Sequence, residues 1–347
     1  MTWLLLLAGL CLLLAGAYKL VDASVAIARH SGMSEMMIGA VVIGTGVSLP
    51  ELFVSTAAVL PGKSDIALGN VLGSNLCNGA LILGITAIIS SVKVTMPKLR
   101  RDIPIVFFAT LLVMVLCCDS IFPGIDDNEI GRVDGICLLL LFAGYIWYML
   151  YTQQTALKMA QGTQANTNLN TRKKNGKRNK ALAEDTAVLA VPKTFLTGKP
   201  MWLLITVAVV ALAAMLVGVN LMLDSATAIA GRRGIPDKVM AVSALAVGVS
   251  LPELATCAIA AAKGKPQLAI GNVMGSSVSN LLLVLGFSAS CRPIVLQEIR
   301  IADFGMPLLV SALAFLFAFI FSRRAIGRIE GIILLVVYFL YIASLWY

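Results

Sequence analysis

Apolar residues run along this chain in long, nearly unbroken blocks, and the blocks fall into two matching sets of five. They predict helices at about 3–28, 34–60, 65–90, 102–119 and 131–152, then at 200–230, 236–262, 267–290, 303–321 and 327–346. Stretches such as Trp3 to Ala17, Ile136 to Tyr151 and Trp202 to Leu223, with their flanks, are long enough to cross about 30 Å of hydrocarbon as helices. An outer-membrane barrel would alternate apolar and polar positions, and this chain does not. The expected fold is therefore an all-α integral membrane protein of ten transmembrane helices in a lipid bilayer. The first block resembles a secretory signal, with small residues at Ala15, Gly16 and Ala17. No basic segment precedes it, however, and Asp22 just beyond it has a counterpart in the second half, so it reads as a span.

The two sets are copies. Residues 39–84 lie over 241–286 at a constant offset of 202 without a gap, identical at 20 of 46 positions. The shared words are GVSLPEL and GNVxGS. Asp22 and Asp224 keep the same offset, and GRVDG at Gly131 returns as GRIEG at Gly327. The expected units are a first five-helix repeat over 1–152, a basic linker over 153–199 and a second repeat over 200–347. An odd number of spans per copy makes the second copy enter from the opposite side, which predicts inverted repeats with helices broken at a central site.

Composition and charge sharpen this reading. With 59% hydrophobic and 13% charged residues, the chain has more apolar surface than one soluble core could bury. The net charge of +9 concentrates in the linker, at Lys158, Arg172, Lys173, Lys174, Lys177, Arg178, Lys180, Lys193 and Lys199. That run reads as a solvated cytoplasmic loop, and no nucleic acid is expected. With both termini outside, Lys93, Lys98, Arg100, Arg101, Lys263, Lys265, Arg323, Arg324 and Arg328 also fall inside, and Asp126, Asp127 and Glu129 fall outside. Arg232 and Arg233 fit less well, yet the balance follows the positive-inside rule of a multi-pass cell-membrane protein. The seven cysteines show no CxxC spacing, so they read as packing residues rather than a disulfide or zinc framework.

The candidate chemistry lies in the shared words. Glu51 and Glu253 stand in mid-span, where an ionised carboxylate costs about 3 kcal/mol unless a cation, water or donor meets it. Each follows a proline, which lacks an amide donor and disrupts the turn before it. Carbonyls of Gly44, Val47, Ala246 and Val249 are thereby candidates for release from helical bonding, tolerated at membrane depth only where something satisfies them. Ser48 and Ser250 share a face with the glutamates. On the next helix of each half, Ser74 with Asn78 and Ser276 with Asn280 stack four residues apart. Gly69 and Gly73, with Gly271 and Gly275, could bring these rows close to a glutamate helix. Carboxylate, hydroxyl and carbonyl oxygens are hard ligands suited to Ca²⁺ and Na⁺. Plainer readings are back-bonding for the serines and interhelical bonding for the asparagines. Asp22 and Asp224 are expected to cap or face water, and Asp134 and Glu330 to form interfacial ion pairs with Arg132 and Arg328. His30 sits in an expected loop and is assigned nothing.

GVSLPE with GNVxGSxxxN, present twice in inverted halves, resembles the α-repeats of the Ca²⁺/cation antiporter superfamily, its bacterial and archaeal sodium/calcium exchangers above all. The resemblance implies a central site on the four repeat-bearing helices, with the first and sixth helices sliding across it. It implies Glu51 and Glu253 as shared Ca²⁺ and Na⁺ ligands. Ser48, Ser74, Ser250 and Ser276 would serve flanking Na⁺ positions with backbone oxygens of Gly44, Val47, Ala246 and Val249, and Asn78 and Asn280 would complete the centre. Val47 and Val249 replace threonines common in the family, Asn280 stands where some relatives carry aspartate, and Ser277 replaces the asparagine seen as Asn75. The expected activity is Ca²⁺/Na⁺ antiport by a monomer that is not an enzyme and needs no cofactor beyond its transported ions; a Ca²⁺/H⁺ or other cation/H⁺ antiporter is the alternative. An intramembrane hydrolase using Ser48 or Ser250 would need unlike catalytic partners, and the repeat supplies one like set twice. A passive channel would be marked by flux without a counter-ion.

Overall fold

The computed structural model describes residues 2–90, 96–117, 129–170, 196, 198–231, 248, 250–295, 307, 309–317 and 326–344. Its helices, in chain order, are α1 (Thr2–Ser31), α2 (Glu35–Val59), α3 (64–89), α4 (Met96–Leu116) and α5 (Arg132–Asn170). Then come α6 (Met201–Gly231), α7 (Leu251–Ala262), α8 (Pro266–Cys291), α9 (309–317) and α10 (Arg328–Ser344). Six of these are apolar over at least 18 residues, long enough to span a bilayer. The chain is an all-α integral membrane protein. Large apolar side chains such as Leu4, Phe108, Leu140, Trp202 and Leu340 face outward, more than 60% exposed. A soluble protein could not present such a surface, and lipid covers it here. Polar side chains gather inside instead: α8 is almost wholly buried and α3 largely so, while α1, α5 and α6 form the periphery.

The packing itself shows that the halves are inverted. A methyl group added to Gly9 of α1 would lie 2.6 Å from the carbonyl oxygen of Gly218 on α6, and one added to Gly16 would lie 2.8 Å from that of Ala211. As numbers rise on α1 they fall on α6, so the two helices cross antiparallel. They are equivalent members of the two copies, Gly16 and Gly218 differing by the repeat offset, so one copy runs opposite to the other. A second pair of crossings obeys the same two-fold. Gly84 of α3 abuts Gly331 of α10, and their equivalents, Gly286 of α8 and Gly135 of α5, abut each other, with would-be Cβ-to-oxygen distances of 2.6–3.0 Å. Between the halves, α2 and α8 run parallel and nearly touch: Gly271 lies on the Met36 carbonyl, Gly275 on the Ala40 carbonyl and Gly44 on the backbone of Gly275 and Ser276. Glycine is what lets backbones approach this closely in a membrane, where packing rather than water drives helix association.

Several details differ from the sequence reading. The fifth helix does not end near 152 but runs to Asn170, because Ala156, Leu157, Lys158, Met159, Ala160 and Gln161 are good helix formers with no proline among them. Residues 171–195 of the linker lie outside the described residues. His30 belongs to the last turn of α1 rather than to a loop. Two short strands, β1 (Glu129–Ile130) and β2 (Ile294–Val295), pair antiparallel across the halves. Asp134 and Glu330 are not paired with arginines among the described residues; their carboxylates accept the N–H of Gly131 and Gly327, each at 2.9 Å, and cap the first turns of α5 and α10. Asp22 forms an ion pair of 2.7 Å with Lys263, whose ammonium also meets the Tyr18 carbonyl and ring at 3.1 Å. Beside it, Lys265 pairs with Glu35 at 2.6 Å. Together these bonds tie the end of α1 and the start of α2 to the α7–α8 turn.

The α2–α8 crossing leads to a direct test. Gly275→Ala forces a methyl onto the Ala40 carbonyl and is expected to lower stability by about 1–3 kcal/mol. The same change at Gly144, where nothing lies within 4 Å, should not. Thermal unfolding of the purified variants in detergent checks this; equal melting of Gly275→Ala and wild type would show that the crossing is not held this tightly.

Candidate functional site

The site begins with interruptions in the helical hydrogen-bond ladder. Along α2 an α-turn (Glu35–Ile38) gives way to a π-helical segment (Gly39–Ile43), then to α again (Gly44–Val47), and the helix breaks at Ser48 (φ −83°, ψ 1°) before restarting at Leu49. Pro50 causes the break, since it has no N–H to continue the ladder. The last bond before the break is Ser48 N–H to the Gly44 carbonyl at 3.3 Å, and the first after it is Leu52 N–H to the Ser48 carbonyl at 3.1 Å. The i→i−4 ladder therefore skips the carbonyls of Thr45, Gly46 and Val47. It does not release that of Gly44, which keeps one helical bond and one remaining lone pair, a correction to the sequence expectation. Ser250 repeats the break (φ −86°, ψ 2°), with Leu254 N–H bonded to its carbonyl at 3.1 Å. Ala246 and Val249 lie outside the described residues. Both α3 and α8 loosen into π-helical segments at equivalent positions, Cys77–Ile82 and Ser279–Val284, carrying Asn78 and Asn280. Such π-segments concentrate at functional sites.

These irregular stretches converge. The Asn280 segment packs against the post-proline part of α2, and the Asn78 segment packs against α7, so each meets the glutamate helix of the opposite half. Glu51 and Glu253 are 0% and 1% exposed, and their carboxyl groups lie close enough to interact directly. Ser74 Oγ donates to Glu51 Oε1 at 3.4 Å, and Ser250 Oγ donates to Ser74 Oγ at 3.2 Å. Asn78 Nδ2 donates to Ser276 Oγ at 3.0 Å, and Ser276 Oγ donates to the Val273 carbonyl at 3.2 Å. Ser74 thus stands beside the glutamate of its own half, whereas Ser276 reaches across to Asn78. Ser276 also back-bonds along its own helix, as the plainer reading of the serines expected.

What is left over defines the chemistry. Glu51 Oε2, both oxygens of Glu253, Ser48 Oγ, Asn78 Oδ1 and Asn280 Oδ1 are buried without a hydrogen-bond partner. Buried acceptors in such number are rare in folded proteins unless an ion or water meets them. These acceptors are all hard oxygens, with Asn280 Nδ2 also unpartnered beside them, and among the described residues no cluster of three His, Cys, Asp or Glu occurs. The arrangement suits a Ca²⁺- or Na⁺-like cation and not Zn²⁺. Asp22 and Asp224 stand apart from this centre, Asp22 in its ion pair with Lys263 and Asp224 on the exposed side of α6.

The sequence reading overlooked a ring of buried residues supporting the centre. Asn70 Nδ2 donates to Ser55 Oγ at 2.9 Å and to the main-chain oxygen of Glu51 at 3.3 Å, and Ser55 Oγ donates to the Ala67 carbonyl at 3.4 Å. At equivalent positions Asn272 Nδ2 donates to Cys257 Sγ at 3.1 Å and Cys257 donates to the Ala269 carbonyl at 3.4 Å. The signal was present: both asparagines stand inside the repeated GNVxGS word, in mid-membrane.

The sodium/calcium exchanger protein family matches residues 1–151 and 203–347. Inner membrane protein YrbG of Escherichia coli (strain K12) is 33% identical over 346 residues, covering 99% of this chain and 96% of that protein. The sodium/calcium exchanger MaX1 of Methanosarcina acetivorans is 30% identical over 360 residues, covering 99% and 98%. Among solved structures, the sodium-calcium exchanger NCX_Mj, soaked with 2.5 mM Na⁺ and 10 mM Sr²⁺, superposes with a TM-score of 0.77 at 27% identity, covering 99% of both chains. Duplicated motifs, inverted packing and full-length similarity agree: this chain belongs to the sodium/calcium exchanger family, a family of membrane cation exchangers rather than of enzymes.

Proposed function

We propose that this protein exchanges Ca²⁺ for Na⁺ by alternating access at a site built on Glu51 and Glu253. The observation that carries the reading is the pair of buried, facing carboxyl groups, one from each half, with three of four oxygens lacking a protein partner. Ser48, Ser74, Ser250, Ser276, Asn78 and Asn280, with backbone oxygen from Val47 and the second lone pair of Gly44, supply the neutral remainder of the ligand set. Ala246 and Val249 take the equivalent backbone roles in the second half.

The mechanism follows from charge. Two ionised carboxylates give the site a charge of about −2, and closing an apolar gate over uncompensated charge is prohibitive. One Ca²⁺ neutralises the pair, and so do Na⁺ ions entering together. The gate closes over either load and not over the bare site, which couples the two fluxes. Two protons would neutralise the pair equally well, and the burial of both carboxyl groups favours that as the second reading. The membrane orientation that fits the charge distribution places both termini outside and the 153–199 linker in the cytoplasm.

Glu51→Gln and Glu253→Gln are each expected to reduce Ca²⁺ uptake into proteoliposomes to background, because one carboxylate cannot balance a divalent ion; uptake near the wild-type level in either variant refutes the site. With wild-type protein, an imposed Na⁺ gradient should drive Ca²⁺ uptake and a pH gradient alone should not, while the reverse result identifies a Ca²⁺/H⁺ exchanger. For orientation, alkaline phosphatase fused after residue 347 should be active and a fusion within the linker inactive; the opposite pattern would invert the topology.

A further inference from the structure

The support around the two glutamates is not the same in the two halves, although the residues that form it occupy equivalent positions. In the first half both amide hydrogens of Asn70 are used on strong acceptors, Ser55 Oγ at 2.9 Å and the Glu51 main-chain oxygen at 3.3 Å. In the second half Cys257 replaces the serine, so the Asn272 amide meets a thiol sulfur, a weak acceptor, at 3.1 Å. Asn272 Oδ1 is left buried without a partner. The side chains follow the same division: Glu51 Oε1 accepts a hydrogen bond from Ser74, while neither oxygen of Glu253 has a donor.

From this asymmetry we infer that Asn70 is a positioning residue for cation binding, holding the Glu51 turn against α3 so that its carboxylate is pre-oriented. Glu253, with the weaker Asn272–Cys257 tie, is the carboxylate that adjusts to the ion. The inference rests on the two-glutamate site proposed above and adds which half is rigid and why. Neither asparagine needs to touch the ion. Asn70 acts through the backbone of the residue that does, at the first turn after the Pro50 break, where helical bonding alone constrains Glu51 least. Held in place beforehand, a ligand loses less freedom on binding, so the effect belongs in affinity and not in the rate of the loaded transporter.

The test uses near-isosteric, uncharged replacements in the full-length protein. Asn70→Leu and Asn272→Leu each remove the amide while conserving volume, and Ser55→Cys copies into the first half a sulfur that already fits the second. Uptake is measured across Ca²⁺ concentrations in the gradient that drives the wild type. Asn70→Leu is expected to raise the half-saturating Ca²⁺ concentration about five- to tenfold, the worth of one buried hydrogen bond, with maximal rate changed less than twofold. Ser55→Cys should raise it about two- to threefold, and Asn272→Leu less than twofold. A purely structural role would instead lower the amount of folded transporter, and with it the maximal rate, without moving half-saturation. Equal shifts for Asn70→Leu and Asn272→Leu, or unchanged half-saturation in Asn70→Leu, overturn the inference; if Asn70→Leu does not fold, unchanged half-saturation in Ser55→Cys does so. Glu51→Gln in the same assay separates the two levels. If it is inactive while Asn70→Leu behaves as wild type, only the positioning role falls; if it transports normally, the site and the inference fall together.

Discussion

Two carboxylates, one from each half, buried in a medium that offers charge no solvation are the constraint around which this protein is arranged. Glu51 and Glu253 are sealed from solvent, and three of their four oxygens meet no donor in the protein. In a soluble domain such a pair would recruit water. At membrane depth the alternatives are a proton or a metal ion, and the surrounding hydroxyl, amide and carbonyl oxygens extend the same preference. The prolines matter because they stop the ladder just before each acid. Break, oxygen and acid then lie within four residues, and a single short word carries the local chemistry.

Bringing two such words together is the task of the backbone crossings. The parallel contact of α2 with α8 sets Gly44 on the backbone of Gly275 and Ser276, so the stretch of one half that leads into its break lies against the serine-bearing turn of the other. Nothing bulkier than glycine at 271 and 275 would allow it. The remaining crossings come in two-fold related pairs, Gly9 and Gly16 with α6, Gly84 with α10 and Gly135 with α8. Small residues thus do in lipid what hydrophobic burial does in water: they decide which surfaces meet.

Much of this was legible in the residues because duplication doubles every signal. The spans, the break at Ser48 and Ser250 and the two acids all follow from gapless repetition of GVSLPEL and from proline chemistry. Inversion followed from an odd number of spans, and the packing of α1 on α6 bears it out. What escaped notice was specified by distance rather than by pattern. Asn70 and Asn272 stand in a repeated word, but a buried asparagine does not announce whether it meets an ion, a serine or a main-chain oxygen. Asp134 and Glu330 sit two residues from arginines, and only the turn geometry directs them to Gly131 and Gly327. Lys263 has no counterpart in the first half, where Pro61 stands, so no repeat pointed to its bond with Asp22. The extension of α5 beyond the bilayer was hidden because its polar sequence carries no hydropathy signal.

The register of α1 on α6 has a mechanical corollary. Gly9 is seated on Gly218 and Gly16 faces Ala211, and stepping either helix along the other would drive a Cβ into main-chain atoms at both points at once. Relative slippage of these two helices is therefore sterically opposed. The two helices that hold equivalent places in the two copies are thereby keyed to each other at two points along their length, and a change at either glycine is felt by both halves at once.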